Sequence, residues 1–489
     1  MKSAHVICEK DNVAVALRHL SAGEMAADIC LAEDIPAGHK FACCNIPSGD
    51  AVIKYGESIG RASADIPVGH HVHSHNLKSG LGGPGEYVWT PRGEELSPSE
   101  LPGFMGYRRE DGRVGIRNEV WIIPTVGCVN GIAKAIETRC AHMASGSVER
   151  IAAYNHPYGC SQLSEDHEMT RRFLCALIDH PNAGAVLVLG LGCENNHIAG
   201  MQELLGTWDP ERVAFLNCQD TEDEIAAAEE LMEHLCAHAA KAKRELCSAD
   251  ALVIGLKCGG SDGFSGISAN PLLGRLSDRV ISAGGSAILT EVPEMFGAEH
   301  LLMARCRKED TFRATVKMIN DFKEYFLRYG EGVDENPSPG NRAGGITTLE
   351  EKALGCTQKG GTAPVADVLP YAGKVRCKGL SLLSAPGNDL VAACALAAAG
   401  AQMVLFTTGR GTPFGCPVPT VKISSNTPLY EKKRRWIDFD AGPLLTGADP
   451  GVISEEFTEY ILSVASGQKT LSEELPKTDL AIFKDGVTL

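Results

Sequence analysis

The chain contains no long apolar run. None approaches the roughly twenty residues that a membrane-spanning helix needs, and residues 1–30 carry charged side chains without the apolar segment of an export signal. Lysine and arginine number 46 against 62 acidic residues, which gives a net charge of −16. Nucleic acid and anionic membranes both require a cationic face on the protein that binds them. We therefore expect a cytoplasmic protein with neither as a partner.

Close cysteine pairs of the C-x-x-C type are also absent, although 18 cysteines occur among the 489 residues. The adjacent thiols of Cys43 and Cys44 and the missing export signal favour reduced cysteines over a disulfide framework. A chain of this length with 44% hydrophobic residues is typical of a globular protein. We expect roughly two to four domains, each large enough for its own core.

Short strands and tight turns are expected in residues 1–80. The motif I-P-x-G begins at Ile35, Ile46 and Ile66, and proline and glycine at these positions are typical of β turns. The third copy leads into GHHVHSHN, in which alternate histidines project from one face of an extended strand. Imidazoles are common metal ligands, so we predict a metal ion at His73 and His75. A solvated histidine-rich edge is the alternative.

A linker and two layered domains are predicted beyond the β domain. Residues 81–104 are rich in glycine, proline and serine and show no periodicity, which is typical of a linker. Apolar strands then alternate with amphipathic helices, the pattern of α/β domains with mainly parallel strands. A second irregular stretch, residues 334–348, indicates a boundary near residue 330. We therefore predict α/β domains at 105–330 and 331–489.

Five cysteines directly follow a glycine or lysine where the chain is predicted to turn: Cys128, Cys160, Cys193, Cys258 and Cys356. Three of the preceding segments, VWIIPTVG, AVLVLGLG and ALVIGLK, are apolar strands that run into the thiol. Open α/β proteins bind ligands at the carboxyl edge of the sheet. We predict that these thiols and Glu194 mark one cleft, as its lining or as metal ligands. Burial as ordinary core cysteines is the alternative.

Several longer motifs resemble one enzyme family. They include GYRREDGRVGIRNEVWIIPTVGCVN, NHPYGCSQL, CGGSDGFSGISANPLLG, ENPSPGNRAGGITTLEEKALGCTQKGG and TTGRGTPFG. From end to end the chain resembles the altronate and galactarate dehydratases, and it is most similar to the altronate-specific members. The resemblance implies a SAF-type β-clip fold for residues 1–80. It also implies dehydration of a sugar acid with a divalent metal, Fe²⁺ or alternatively Mn²⁺, in a protein that can form homo-oligomers.

The implied reaction, D-altronate to 2-dehydro-3-deoxy-D-gluconate, makes definite demands. A proton leaves the carbon beside the carboxylate, the neighbouring hydroxyl departs, and the enol becomes a ketone. Cations must stabilise the enolate-like intermediate. For substrate binding we predict Arg108, Arg117, Asn195 and Arg410.

Catalytic roles are predicted for His156, Lys257 and Asp262. The base is either His156, because histidine titrates near neutral pH, or Lys257, if burial lowers its pKa. Alternatively, Lys257 binds the substrate carboxylate. Asp262 follows a strand and is expected to carry a proton or to bind the metal. Departure of the hydroxyl would be assisted by the metal at His73 and His75.

Other interpretations of the same motifs stay open. The substrate could be galactarate or another aldarate or aldonate. Three or four of the cysteines at the strand ends could hold an iron–sulfur cluster that replaces the single metal ion. The chain could also be a metabolite-binding regulator that keeps the scaffold without activity. The run GLGCENN lacks the third glycine of a dinucleotide fingerprint, so we do not expect NAD.

Overall fold

The computed structural model describes residues 2–93, 95–475 and 479–489. Its first unit is a β domain whose strands are β1 (Ala4–His5), β2 (Val13–Ala16), β3 (Met25–Ala26), β4 (Ile29–Cys30), β5 (Lys40–Ala42), β6 (Ala51–Lys54), β7 (Glu57–Ala62), β8 (His71–Val72) and β9 (Leu77–Lys78). They form the antiparallel sheets β1-β2-β5-β8 and β6-β7-β9, and β3 pairs with β4. The glycines that end the three I-P-x-G motifs have φ angles of 79–89°, as turn glycines do. The predicted small β domain is confirmed.

Residues 79–93 and 95–103 contain no helix or strand and run along the C-terminal unit. The indole N–H of Trp89 donates to the carbonyl of Cys306 at 2.9 Å, and the hydroxyl of Tyr87 donates to Glu299 at 2.8 Å. The segment between the domains is therefore extended and held by side chains that contact the surface beneath it.

The middle unit is a parallel sheet between two layers of helices. Its strands and helices are β10 (Phe104–Arg108), β11 (Val114–Gly115), β12 (Glu119–Pro124), α1 (Asn130–Cys140), β13 (Arg150–Ala153), α2 (Ser164–Ile178), β14 (Ala183–Gly190), α3 (Ile198–Leu205), β15 (Val213–Asn217), α4 (Glu224–Ala239) and β16 (Glu245–Cys247). The parallel sheet has the order β13-β12-β14-β15, and β11-β10-β16 form a separate antiparallel sheet. Trp121 and Ile123 of β12 enter one hydrophobic cluster, whereas Val120 and Ile122 enter another. Burial on both faces explains why these strands are apolar throughout.

The C-terminal unit contains a seven-stranded parallel sheet. Its elements are β17 (Val253–Cys258), α5 (Ala269–Ser282), β18 (Ser286–Leu289), α6 (Glu299–Ala304), α7 (Glu309–Arg328), α8 (Pro339–Ala343), α9 (Leu349–Cys356), β19 (Val365–Leu369), β20 (Gly379–Leu383), α10 (Asp389–Ala398), β21 (Met403–Thr408), β22 (Thr420–Ser424), α11 (Thr427–Lys432), β23 (Phe439–Asp440) and α12 (Pro450–Ala465). The strand order is β19-β20-β18-β17-β21-β22-β23. Among the described residues no helix is both long and apolar enough to cross a membrane.

This sheet corrects the boundary predicted near residue 330. β17 and β18 precede that position, yet β18 pairs in parallel with β20, which follows it. Residues 253–330 therefore belong with the C-terminal unit. The irregular stretch 334–348 resembles a linker in composition, but it connects two parts of one domain and contains the short helix α8.

The β domain docks on α9. Ala353 and Leu354 of this helix share a hydrophobic cluster with apolar side chains of the β domain. Lys40 and Lys54 donate to the two carboxylate oxygens of Glu351 at 2.7 and 2.8 Å, and all three side chains are buried. Breaking a buried ion pair is costly. This triad therefore fixes the position of the β domain on the C-terminal unit.

Candidate active site

A buried group of charged side chains and thiols lies at the carboxyl edge of the seven-stranded sheet. We call it the charge cluster; it comprises Lys257, Cys258, Glu291, Glu294, Lys352, Cys356 and Lys359, all buried. β17 ends in the first two residues, the turn after β18 supplies the two glutamates, and α9 with the turn after it supplies the remaining three. The edge at which open α/β proteins bind ligands is thus closed here by paired charges.

Lys257 is held as an ammonium ion. Its Nζ donates to Glu291 and, at 2.9 Å, to Asp389. Burial alone would lower the pKa of Lys257, but these carboxylates outweigh burial and raise it above its ordinary value. A lysine that acts as a base needs a lowered pKa. The structure therefore contradicts the prediction that Lys257 is the base.

Glu291 is the centre of the charge cluster. Its carboxylate accepts from the Nζ of Lys257, from the backbone N–H of Cys258 at 3.0 Å and from the Nζ of Lys359 at 3.0 Å. Its backbone is left-handed, with φ of 70°, a conformation that costs a non-glycine residue free energy and persists where surrounding contacts enforce it. Three donors on one carboxylate provide that enforcement.

The two buried thiols share one carboxylate. Cys258 Sγ and Cys356 Sγ are 3.3 Å apart, and each is 3.3 Å from Glu294 Oε2. Lys359 Nζ donates to Cys258 Sγ at 2.8 Å, and Lys352 Nζ donates to Glu294 at 2.9 Å. Hydrogen bonding to Cys258, together with burial, raises the pKa of Cys356. The lysines supply the positive charge that this group requires.

Asp262 holds the glycine-rich loop that follows β17. Its carboxylate accepts from the hydroxyl and backbone N–H of Ser265, both at 2.9 Å, from the hydroxyl of Ser425 at 2.8 Å and from the amide of Asn426 at 3.0 Å. Burial raises the pKa of Asp262 although these bonds oppose the rise. The contacts give Asp262 a positioning role, and the catalytic role predicted for it stays a prediction.

Four histidines form a second group, the histidine cluster, on the β domain: His39, His71, His73 and His75. Neighbouring ring centroids are 5.0–5.6 Å apart, and Nδ1 of His39 is 3.0 Å from Nε2 of His71. Burial lowers the pKa of His71 to about 3 and of His73 to about 4. Their rings are therefore neutral at pH 7, the form that binds metals.

Helix α8 and its flanking residues lie between the two clusters. Nε2–H of His73 donates to the carbonyl of Arg342 at 3.0 Å, and Nε2–H of His39 donates to that of Ala343 at 3.4 Å. From the same helix, the amide of Asn341 donates to the carbonyl of Ser261 at 2.8 Å and accepts from Lys352 at 3.3 Å. One short helix therefore contacts the histidines through its carbonyls and the charge cluster through a side chain.

Arg410 lies beside this helix in the loop after β21. The Arg410 side chain passes close to Gly340 and Gly260. If these glycines carried a Cβ atom, the Cβ of residue 340 would lie 3.9 Å from Cδ of Arg410, and the Cβ of residue 260 would lie 3.6 Å from Cβ of Arg410. The side chain is exposed, and within the described part of the chain it makes no hydrogen bond or ion pair. A free guanidinium suits bidentate binding of a carboxylate. The substrate-binding role predicted for Arg410 is therefore compatible with its position.

The other predicted thiols belong to a different sheet. Cys128, Cys160 and Cys193 follow β12, β13 and β14 at the carboxyl edge of the four-stranded sheet, and all three are exposed. Cys258 and Cys356 are buried in the charge cluster. No hydrogen bond among the described residues joins the two groups of thiols. The five cysteines therefore lie on two different sheets and differ in burial, and the prediction that all five mark one cleft stays a prediction.

His156 and Glu194 hold the loops of the four-stranded edge. Nε2–H of His156 donates to the carbonyl of Pro124 at 2.8 Å, and its Nδ1 accepts from the N–H of Tyr158 at 3.2 Å. Burial lowers the pKa of His156 to about 4. With both nitrogens occupied, His156 has none left to take a proton, which contradicts its predicted role as the base.

The carboxylate of Glu194 accepts from the N–H groups of Leu191 at 3.1 Å and Gly192 at 2.6 Å, and Oδ1 of Asn195 accepts from the N–H of Ser161 at 3.0 Å. These bonds are local to the middle unit. The structure therefore places neither the predicted ligand Glu194 nor the predicted substrate contact Asn195 beside the histidine cluster.

Arg117 is a structural residue, contrary to the prediction that it binds substrate. Nε and Nη2 donate to the carboxylate of Glu473 at 2.7 and 2.9 Å, and the other N–H groups donate to carbonyls of Ile116, Val464 and Gln468. None of its donors is left for a ligand. Arg108 is half exposed and donates to Glu245 at 2.7 Å on the antiparallel sheet, away from both clusters.

Known proteins resemble the chain over its whole length. The altronate dehydratase of Bacillus subtilis (strain 168) is 53% identical over 501 residues, which cover 100% of both chains. The chain belongs to the altronate/galactarate dehydratase family. Family models match the SAF domain at residues 2–80, the second domain at 106–240 and the C-terminal domain at 249–488. The last two ranges agree with the change of sheet before β17.

Two further members of the dehydratase family come from Escherichia coli (strain K12). Its altronate dehydratase is 53% identical over 486 residues, which cover 98% of both chains. Its galactarate dehydratase (L-threo-forming) is 33% identical over 512 residues, which cover 97% of this chain and 95% of the relative. The family and the SAF-type N-terminal domain expected from the sequence motifs are confirmed.

Two groups of side chains offer donors for the divalent metal that the dehydratase family implies. Cys258, Glu294 and Cys356 place their ligand atoms within 4.8 Å of one another, but the ammonium groups of Lys359 and Lys352 already donate to them. In the histidine cluster, burial lowers the pKa values of His39, His71 and His73, no ammonium group among the described residues is bonded to these rings, and imidazole suits iron. The donor chemistry therefore fits a metal at the histidines better.

Several residues of the site were not among those predicted. His39 follows the first I-P-x-G turn, and a histidine at the same place in the third turn indicates that the turns converge. Lys352 and Lys359 stand four residues before and three residues after the predicted Cys356, a spacing that puts all three on one helical face. Glu291 and Glu294 follow β18 at the same sheet edge as Lys257. These positions and spacings are visible in the sequence, but which charges pair with one another depends on the tertiary structure.

Proposed function

We propose that the protein removes water from D-altronate to give 2-dehydro-3-deoxy-D-gluconate. The observation that carries the proposal is the 53% identity over the whole chain to the altronate dehydratase of Bacillus subtilis, against 33% to the galactarate dehydratase of Escherichia coli. In this reaction the C2 proton beside the carboxylate is removed, the C3 hydroxyl leaves as water, and the enol becomes the 2-ketone.

The substrate lies between the histidine cluster, α8 and Arg410. Beside this region, the carbonyl of Ser261 accepts from the amide of Asn341 in α8, and Lys352 donates to the same side chain. The hydroxyl of Ser261 is buried and has no hydrogen-bond partner in the described structure. A buried hydroxyl without a partner is costly, and a substrate hydroxyl would satisfy it. Arg410 supplies the cation for the substrate carboxylate.

The histidine cluster holds the divalent metal, Fe²⁺ in preference to Mn²⁺. When bound, such a metal supplies a Lewis acid beside the departing hydroxyl. Burial keeps the imidazoles of His39 and His73 neutral, and the carbonyls of Arg342 and Ala343 orient these two rings. Carbonyls that accept from metal-binding histidines fix the ring orientation.

The test measures both turnover and metal content. Protein loaded anaerobically with Fe²⁺ should form the 2-keto acid from D-altronate faster than from galactarate. His73→Ala and His39→Ala should each lower metal affinity by at least about tenfold, read by mass spectrometry of the bound metal. His142→Ala replaces an exposed histidine of the middle unit and should retain both metal and turnover.

Two results would overturn parts of this proposal separately. Turnover of galactarate without turnover of D-altronate would reject the substrate. Unchanged metal content in both His73→Ala and His39→Ala would reject the histidine cluster as the metal site, and acid-labile sulfide in the active protein would identify an iron–sulfur cluster in its place.

We also infer that the enzyme works in the cytoplasm on a free sugar acid. All 18 cysteines are unpaired by disulfides, and exposed thiols such as Cys128 and Cys193 persist in reducing compartments. The net charge of −16 opposes binding to nucleic acid or to anionic lipid. Fractionation of cells and detection of the protein in the cytoplasmic fraction would check the location.

A further inference from the structure

A cleft on the middle unit lies away from the histidine cluster and the charge cluster. Its volume is about 910 Å³, within the range of small-molecule sites. The walls come from the turn between β10 and β11, the end of α2, and the residues that follow α3 and α4. None of the lining residues belongs to the charge cluster or to the histidine cluster.

Arg109 contributes a guanidinium without a carboxylate partner. Nε donates to the carbonyl of Pro181 at 2.8 Å, Nη1 to Oδ1 of Asn118 at 2.9 Å and Nη2 to the carbonyl of Arg117 at 3.0 Å. Among the described residues no carboxylate oxygen lies within 4.0 Å of it. Neutral acceptors orient this cation but do not neutralise it.

Arg212 is held in the same way on the adjacent wall. Its Nη2 donates to the carbonyls of Ile178, His180 and Ala183 at 3.0–3.2 Å. The hydrogen bonds within the described residues leave its Nε and Nη1 unused, and no ion pair neutralises it. Burial lowers the pKa of both arginines, that of Arg109 to about 10, and the charge of Arg212 adds to this effect on Arg109. Two cations therefore share a partly desolvated wall.

The acidic residues of the cleft do not neutralise these two arginines. Asp111 and Asp179 both pair with Arg113, and Asp179 also pairs with Lys374 at 2.5 Å. Asp209 accepts from the backbone N–H of Glu211 at 2.9 Å. Glu110 is exposed at the rim. Lys241, which also lines the cleft, is exposed and has no ion-pair partner in the described structure.

Part of the lining is apolar and contains one aromatic ring. Trp208 is half-buried and packs edge-on against Phe215 at a centroid distance of 5.3 Å. Leu205, Ala176 and Ile178 extend the same surface. An indole face beside fixed guanidinium groups suits a ligand that combines an anionic group with a planar or apolar body.

We propose that this cleft binds a small organic anion, whose phosphate or carboxylate contacts Arg212 and Arg109 and whose body packs on Trp208. Both anions match the planar donors of arginine. The site is separate from the active site, so its ligand is a second small molecule bound by the middle unit.

The experiment uses the full-length protein and three probes: phenyl phosphate, benzoate and inorganic phosphate. Isothermal titration calorimetry measures binding, and the change in tryptophan fluorescence that is lost in Trp208→Leu reports contact with the indole. We expect at least one aromatic anion to bind more tightly than inorganic phosphate, because only the aromatic probes contact the indole. The stronger of phenyl phosphate and benzoate identifies the anionic group that the cleft prefers.

Arg212→Gln should weaken binding of that probe by about tenfold, because charged hydrogen bonds are lost. Arg305→Gln is the matched control: Arg305 also donates to backbone carbonyls, those of Gly360 and Ala363, but lies outside the cleft, so its loss should leave affinity unchanged. Trp208→Leu should remove the advantage of the aromatic probe over inorganic phosphate.

Lys241→Glu keeps the test decisive if Arg212→Gln fails to fold. Lys241 is exposed, so reversing its charge should weaken binding of the aromatic anion without affecting the thermal stability of the protein. The proposal is rejected if wild-type protein binds none of the three probes at millimolar concentration. It is equally rejected if a folded Arg212→Gln variant or Lys241→Glu binds as tightly as the wild type.

Discussion

The carboxyl edges of the two parallel sheets differ in chemistry although their sequences look alike. In each, an apolar strand runs into a small residue or lysine and then a cysteine. At the seven-stranded edge the β domain packs beside α9, and Cys258 is buried among lysines and glutamates. At the four-stranded edge Cys128, Cys160 and Cys193 remain exposed. The difference follows from what covers each edge.

Covering an edge changes which groups it can hold. A buried lysine requires a nearby carboxylate, because desolvation otherwise disfavours its charge. At the covered edge Lys257 and Lys359 share Glu291. At the open edge the donors to Glu194 within the described residues are neutral: backbone N–H groups and a threonine hydroxyl. A glutamate therefore neutralises buried lysines at the covered edge, whereas a glutamate at the open edge closes a turn.

The largest effect should come from Glu291→Gln. This change leaves Lys257 and Lys359 buried without their shared carboxylate, and loss of one partner of a buried ion pair costs about 3–5 kcal/mol. Urea denaturation should show that decrease in the free energy of unfolding. Glu194→Gln is the matched change at the other edge and should cost about 1–3 kcal/mol. Equal losses of unfolding free energy in Glu291→Gln and Glu194→Gln would contradict the difference between the two edges.

Acid should destabilise the open edge through His156. Burial lowers the pKa of His156 from 6.5 to about 4, so the unfolded chain takes up a proton before the folded one does. Its contribution to stability is complete above pH 6.5 and is lost as the pH falls to about 4, by about 3 kcal/mol in total. His156→Asn should remove this loss, measured as unfolding free energy at pH 7 and pH 5.

The covered edge should respond at lower pH. Burial alone would raise the pKa of Glu294, but Lys352, Lys257 and Lys359 outweigh it and lower it. Its contribution to stability is therefore present above pH 4.5 and is lost only as the pH falls below that value. Glu294→Gln should flatten the stability profile below pH 4.5 and leave the region between pH 6.5 and 5 unchanged. If Glu294→Gln changed the unfolding free energy only between pH 6.5 and 5, that result would contradict the pairing of Glu294 with the lysines.

The smallest effect on stability should come from the exposed thiols. Iodoacetamide should modify Cys128, Cys160 and Cys193 in the native protein, while Cys258 and Cys356 react only after unfolding. Peptide mapping by mass spectrometry distinguishes the two groups. Cys193→Ser should leave the unfolding free energy within about 0.5 kcal/mol of wild type. Rapid native labelling of Cys258 would show that the edge is not closed.

The features that could be predicted from the sequence depend on residues that are close together in the chain. The I-P-x-G turns, the apolar parallel strands and the histidine-rich strand each follow from a short window of residues, and the family follows from long motifs. Arg117, by contrast, looked like a ligand because it precedes a strand, yet its partner Glu473 is 356 residues away. Such a pairing has no local signature.

The sequence by itself determined the SAF-type β domain, the parallel α/β architecture, the dehydratase family and the presence of His73 and His75 in a cluster, because propensity, periodicity and motif are properties of neighbouring residues. Only the tertiary structure decided that residues on both sides of position 330 share one sheet, that the five cysteines divide between two edges, and that Lys257 is an ion-pair partner. Burial and charge pairing depend on which distant segments meet, and that is set by packing.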